Sequence, residues 1–140
     1  MLSKASQYAI KSLIFIGSQP NRVTLKDVSK AIDSPPAFTS KILQRLVAAQ
    51  IVDSIKGIGG GFEINPKKLK TIKLVTIMKA IESCDISTSC FLGFPKCSDQ
   101  NPCPVHHLYK PIKEKLNTEL LNVSLKDIMD DPKAILFHRE

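Results

Sequence analysis

The chain has 140 residues, of which 43% are apolar, and a mean hydropathy of −0.02. That suits one compact domain or a small domain with an appendage, and it excludes a chain disordered by composition. The net charge of +7 lies wholly in the first half. Residues 1–70 carry eleven Lys/Arg against four Asp/Glu, whereas residues 71–140 carry nine of each.

No run reaches the ~18 apolar residues of a membrane span. The apolar stretch from Tyr8 to Gly17 is broken by Lys11 and followed by no small-residue cleavage site. No secretory signal is therefore expected, and the chain reads as a cytoplasmic protein with no membrane partner. A one-sided basic charge points to a polyanion, most often nucleic acid, with a merely basic surface as the alternative.

Residues 3 to 17 place Ala5, Tyr8, Ala9, Ser12, Leu13 and Ile16 on one helix face, with Gly17 and Pro20 as the expected stop. Thr24 is an N-cap with Asp27 as its capping-box partner, opening a short helix that buries Leu25, Val28 and Ile32. Ser34-Pro35-Pro36 starts a third helix, running to about Ala49, since proline fits the first helical turn. Its apolar set is Phe38, Ile42, Leu43, Leu46 and Val47.

Thr39, Ser40, Lys41, Gln44 and Arg45 remain for the outer face of this helix. Short hydrogen-bonding side chains mixed with cations suit a DNA major groove, with cations on phosphates and amides or hydroxyls on base edges. Two short helices joined by a turn at Asp33-Ser34 form a helix-turn-helix. Strand residues Ile51 to Lys56 then lead into Gly57-Ile58-Gly59-Gly60-Gly61 and Phe62 to Ile64. A glycine-rich hairpin directly after a recognition helix reads as a wing whose backbone approaches DNA, with Lys56 as its cation. The run does not match a nucleotide-binding loop. It lacks G-x-G-x-x-G spacing, lacks G-K-[ST], and opens no clear helix.

The second half begins with a helix from Leu74 to Ile81, followed by Cys84-x5-Cys90-x6-Cys97-x5-Cys103-x2-His106 on a proline-rich loop. Thiolates and imidazole suit zinc or iron–sulfur. The spacing is wider than a zinc knuckle, which weakens zinc and leaves iron–sulfur open, with a redox dithiol switch as the third choice. From about Val105 a long helix carries Val105, Tyr109, Ile112, Leu116, Leu120 and Val123 in a narrow stripe close to a coiled-coil seam. Pro111 is expected to kink it or mark its start. Such a stripe packs on a neighbour, either the N-terminal domain or a second copy. Ser124 and Asp127 cap a last short helix, and the tail after Asp130 is expected to be loose.

The fold class is therefore mainly α with a small β-hairpin wing. A winged helix-turn-helix domain spans 1–70, and a cysteine-containing loop with a long C-terminal dimerisation helix spans 71–140. No nucleophile–base motif or phosphate loop argues for an enzyme. An iron–sulfur electron-transfer or carrier protein is the reading from another class, and the winged helix and charge asymmetry weigh against it.

Across nearly its whole length the chain resembles the IscR/NsrR/RirA group of bacterial winged-helix regulators. The matching stretches are Met1-Leu2-Ser3-Lys4, Tyr8-Ala9, Phe38 to Val52, the wing Ile55 to Phe62, Ile77 to Glu82, the cysteines, and Cys103-Pro104-Val105-His106. The resemblance implies that Cys90, Cys97 and Cys103 hold an iron–sulfur cluster (2Fe-2S or 4Fe-4S), with His106 at the position of a histidine ligand. It leaves Cys84 a bystander and His107 facing solvent. It places Ala37, Thr39, Ser40 and Lys41 on the DNA-reading stretch, and Lys56, Gly57, Gly59 and Gly60 on the wing. Three positions depart from the group's pattern. Lys56 stands for the usual arginine, Gly57-Ile58-Gly59 for Gly-Pro-Gly, and Gln7 for the acidic ligand of some nitric-oxide sensors. The resemblance implies a homodimeric transcriptional regulator, a repressor, on a pseudo-palindromic operator in double-stranded DNA. Its cluster would sense iron–sulfur, nitric oxide or redox status. A cluster-free regulator using zinc, a thiol switch or a partner protein is the alternative.

Overall fold

The computed structural model of the chain describes residues 2–132. The expectation for the tail beyond Pro132 lies outside the described residues. Six α-helices appear among them: α1 Lys4–Ser18, α2 Leu25–Ala31, α3 Pro36–Ala48, α4 Leu74–Ile81, α5 His106–Lys115 and α6 Leu125–Met129. Between α3 and α4 stand strands β1 Asp53–Ile55 and β2 Gly61–Glu63 and a 3-10 turn, Pro66–Lys68.

Local chemistry starts most of these elements. Thr24 Oγ1 accepts from the Asp27 backbone N–H at 3.2 Å, and the Asp27 carboxylate accepts from the Thr24 backbone N–H at 2.9 Å. Two orphan N–H groups at the head of α2 are thereby satisfied. Ser3 and Ser124 cap α1 and α6 through their hydroxyls, each accepting from one backbone N–H, of Ser6 and of Asp127, and Pro36 opens α3. Gly17 does not end α1, contrary to the expectation. It lies inside the helix, where a Cβ would come within 3.1 Å of Met129 Sδ, so the missing side chain admits α6.

The core is one cluster. Leu13, Val28, Leu43, Leu46, Ile77 and Leu125 are fully buried within it, bringing α1, α2, α3, α4 and α6 together. α1 packs against α3 and α4. The hairpin pairs antiparallel, with Asp53 opposite Glu63, Ser54 opposite Phe62 and Ile55 opposite Gly61. Val23 adds a bridge, exchanging both backbone hydrogen bonds with Phe62 at 3.0 and 2.8 Å. Gly61 is required there, with φ +140° and an added Cβ 2.5 Å from Val23 O. A second bridge, Lys73 to Ser124, ties the start of α4 to the start of α6.

The long C-terminal helix is shorter than its seam predicted. α5 runs from His106 to Lys115, and Leu116–Leu120 then form a π-helical turn before the chain folds back to α6. Pro111 does not mark the helix start; it sits inside α5.

Candidate functional site

α2 and α3 form the helix-turn-helix, and the hairpin follows directly. Along α3, Ala37, Lys41 and Gln44 are exposed and Ser40 is half-buried. Gln44 Nε2 donates to Ser40 Oγ at 3.4 Å. This is a mixed polar face of the kind that reads base edges.

Two residues expected on that face are not there as expected. Thr39 is fully buried, and its hydroxyl bonds Ser34 Oγ and donates to Pro35 O at 2.9 Å. The turn before α3 has polar groups to satisfy, and Thr39 is the nearest side chain. Arg45 is exposed, but its Nη1 donates to Ile81 O at 2.9 Å, tethering the guanidinium to the carbonyl end of α4.

The wing carries Lys56 exposed beside Gly57 and Gly59, at φ +91° and +74°. An added Cβ at Gly60 would meet Ile55 O at 2.2 Å, so this turn closes only with glycine. The tip is not side-chain-free: Ile58 stands fully in solvent between its glycines. Arg22 braces the wing from outside, its Nε 3.1 Å from Glu63 Oε2.

The thiol loop joins α4 to α5. All four cysteines are free thiols; Cys90 is buried, Cys97 and Cys103 half-buried, and Cys84 exposed. Cys97 Sγ lies 3.4 Å from His106 Nδ1, while Cys90 and Cys103 stand on the same loop. Among the described residues no three His, Cys, Asp or Glu side chains enclose an ion-sized site. Burial pushes the Cys90 thiol up. The backbone N–H groups of Leu92 and Phe94, the Cys103 thiol and the Gly93 N–H outweigh this and hold it below the ordinary thiol value. A lowered thiol favours the thiolate, the form that binds metal.

His106 opens α5 and is only 3% exposed, whereas His107 is exposed. The Nε2 of His106 faces Asp99 Oδ1 at 2.8 Å. Lys110 Nζ reaches both Asp99 oxygens, at 2.9 and 2.8 Å. Lys110, then His106, hold the Asp99 carboxyl well down, to about 2; Asp99 in turn raises Lys110. Neither Asp99 nor Lys110 stood out in the sequence. The available signal was a His and a Lys four apart on one helix, with an Asp between the last two cysteines.

Beyond His106, α5 leaves much of its apolar surface in water. Leu108 is 74% and Ile112 63% exposed, and Leu120 beyond the helix is 51% exposed. Phe91 on the thiol loop is exposed and packs on Tyr109, ring centroids 5.2 Å apart. Monomers seldom leave such a row uncovered. Among the described residues no helix is long and apolar enough to cross a membrane.

The profile of a family described as "Rrf2: Iron-dependent Transcriptional regulator" matches residues 2–131. An HTH-type transcriptional regulator of Aquifex aeolicus (strain VF5) is 26% identical over 140 residues, covering 98% of this chain and 96% of that protein. The HTH-type transcriptional regulator IscR of Vibrio vulnificus is 25% identical over 136 residues, 96% of this chain and 80% of that one. Among solved structures, CymR, the global cysteine regulator of B. subtilis, superposes with a TM-score of 0.75. It is 18% identical and covers 92% of this chain and 95% of that chain. IscR of T. potens superposes at 0.72 and 17% identity, covering 94% and 87%. These two likenesses show the fold.

Proposed function

The chain belongs to the Rrf2 family of transcriptional regulators, and on that premise we propose that it is a homodimeric repressor governed by an iron–sulfur cluster on its thiol loop. Regulators of this family bind DNA and are not enzymes. In this reading residues 1–70 bind DNA, and residues 71–140 carry the sensor and the dimer helix. α3 offers Ala37, Ser40, Lys41 and Gln44 to the major groove, while Lys56, Gly57, Gly59 and Gly60 bring the wing to the backbone and minor groove. Thr39 and Arg45 leave that set, being engaged within the fold. Two copies joined along α5 would present two such heads to a pseudo-palindromic operator.

The observation that carries the sensor reading is the donor set at the head of α5. Cys97 stands 3.4 Å from His106 there, Cys90 and Cys103 lie on the same loop, and the Cys90 thiol is held below the ordinary thiol value. Soft sulfur donors of this kind suit a 2Fe-2S or 4Fe-4S cluster, and hydrogen bonds to sulfur are among the levers that tune one. Cys90, Cys97, Cys103 and His106 would hold it. A bound cluster supplies a centre that iron supply, nitric oxide or oxidant alters. The chain's own part is mechanical. The loop begins where Arg45 of α3 grips Ile81 O and ends where α5 begins, so its shape bears on the recognition helix and on the apolar row together.

The test is iron, sulfide and zinc content with a visible spectrum on protein purified without oxygen, followed by operator binding with and without the cluster. Iron and sulfide in near-equal amounts, and DNA affinity that changes on their loss, are expected. Zinc alone, or no metal after attempted reconstitution, overturns the sensor reading.

One observation favours a second reading. Cys90 and Cys103 are both free thiols on one loop, and the Cys103 thiol is among the groups that lower Cys90; this chain also superposes on a cysteine regulator. A peroxide would oxidise the two thiols to one disulfide, taking up both thiol hydrogens and two electrons to leave as two waters, or as one alcohol and one water from an organic hydroperoxide. A metal-free protein that loses two titratable thiols on peroxide treatment, and changes its DNA affinity, identifies that mechanism.

A further inference from the structure

Four groups stand in line across the junction of the thiol loop and α5. Cys97 Sγ faces His106 Nδ1 at 3.4 Å, His106 Nε2 faces Asp99 Oδ1 at 2.8 Å, and Lys110 Nζ lies within 2.9 Å of both Asp99 oxygens. The line is asymmetric in its chemistry. A carboxylate only accepts, so the hydrogen on the imidazole must sit on Nε2. In the neutral ring Nδ1 is then the nitrogen with a bare lone pair, and it is the one turned toward Cys97. His106 is 3% exposed while Asp99 is 66% exposed, so the ring has no solvent to choose a different partner and the carboxylate stays charged at the rim. Lys110 lies one helical turn beyond His106 and converges on the same carboxylate, which holds Asp99 in place.

We propose that Asp99, clamped by Lys110, is the positioning residue that selects the Nδ1 lone pair of His106 as the one offered to a cluster held by the loop cysteines. The proposal rests on the cluster reading above and names the residue that prepares its one non-thiol ligand. It accounts for a charged, largely exposed loop residue that nonetheless reaches a buried ring. A histidine that ligates through one nitrogen commonly donates its other N–H to a carboxylate, which fixes the tautomer and raises the basicity of the ligating atom. A simple surface ion pair between Asp99 and Lys110 would pin the loop equally well, but it would be indifferent to which nitrogen of His106 carries the hydrogen.

That difference is measurable in the full-length chain. In cluster-free protein labelled with 15N-histidine, at a pH where the imidazole is neutral, long-range proton–nitrogen correlations report which ring nitrogen is protonated. The expected result is His106 wholly in the Nε2–H form. Asp99→Ala is expected to release the ring into a mixture of tautomers. Asp99→Asn, whose amide oxygen still accepts from Nε2–H, is expected to restore the single form. In the loaded protein, Asp99→Ala is expected to lower cluster retention under chelator by about 10- to 100-fold, the usual cost of removing such a partner. It is also expected to change the nitrogen coupling seen by pulsed paramagnetic resonance on the reduced cluster. An Nδ1–H tautomer in the unmodified chain, or an unaltered tautomer and nitrogen coupling in Asp99→Ala, overturns the role of Asp99. Failure of the unmodified chain to take up iron and sulfide overturns the cluster reading itself, so the two failures are told apart.

Discussion

The winged-helix head and the arm made of the thiol loop and α5 differ in how far each satisfies itself. In the head, Leu13, Val28, Leu43 and Leu46 are fully buried, and the first helices are capped by side chains from their own sequence. In the arm, Leu108, Ile112, Phe91 and Phe94 are all more than half exposed, and four thiols stand free. Burial of apolar surface drives both folding and association. The head keeps its apolar surface inside the chain, whereas the arm leaves large apolar side chains in solvent. Under the proposed function, that difference would divide labour between a DNA-reading head and a sensing, dimerising arm.

The comparison breaks first at the core. Leu46→Ala should cost about 2–5 kcal/mol in denaturant unfolding, the range for a buried leucine lost from a packed interior, and Leu108→Ala should cost under about 0.5 kcal/mol per protomer in the dissociated chain. Equal costs would mean the arm is packed as tightly as the head.

The arm's row is tested next. Ile112→Asp should leave secondary structure and head stability intact while shifting the protein to monomer in sedimentation, because it sets a charge into the surface that two copies would share. A variant that stays dimeric removes α5 from the interface.

On the reader, Lys56→Ala should lower operator affinity and reduce the slope of log affinity against log salt by about one per wing. An unchanged slope removes Lys56 from the phosphate contacts.

The smallest effect lies at the seam between the two regions. Glu82, just past α4, accepts from the hydroxyls of Ser3 and of Ser6, the latter at 2.6 Å. The Ser3 hydroxyl first, then Ser6, hold its carboxyl below the ordinary glutamate value against an opposing burial effect. The unfolded chain therefore takes up this proton at higher pH than the folded one. The stabilisation is complete above the ordinary glutamate value, about pH 4.3, and is lost as pH falls through the lowered folded value. Glu82→Gln should flatten the acid side of a stability-against-pH curve, measured by urea midpoints, and leave the neutral region nearly level. An unchanged acid limb would detach this carboxylate from the tie between α1 and α4.

Much of the head was legible because its signals are local. Thr24 with Asp27, Pro36 at the start of α3 and the apolar spacing of α4 each act within one or two turns. The glycines of the wing were legible for the same reason, since a turn needing positive φ announces its residue type. Two misplaced residues answer to distant partners: Gly17 packs on Met129, and Arg45 donates to the carbonyl end of α4. Thr39 answers to near neighbours, its hydroxyl being taken up by Ser34 and Pro35 in the turn before α3, a local demand that helix periodicity alone does not register. In the site, the cysteines and His106 stood out by residue type, while Asp99 and Lys110 are ordinary surface residues by composition.

The amino-acid sequence alone determined the succession of helices, the hairpin, the concentration of positive charge in the first half and the clustering of soft donors in the second. Those are properties of neighbours along the chain, set by periodicity, capping and side-chain chemistry. Only the tertiary structure decided that Cys97 meets His106 and that Asp99 holds the far side of that ring. It likewise decided that the apolar row of α5 faces outward. Pairing across a loop depends on how the elements at its two ends are packed, and that packing is a property of the whole core.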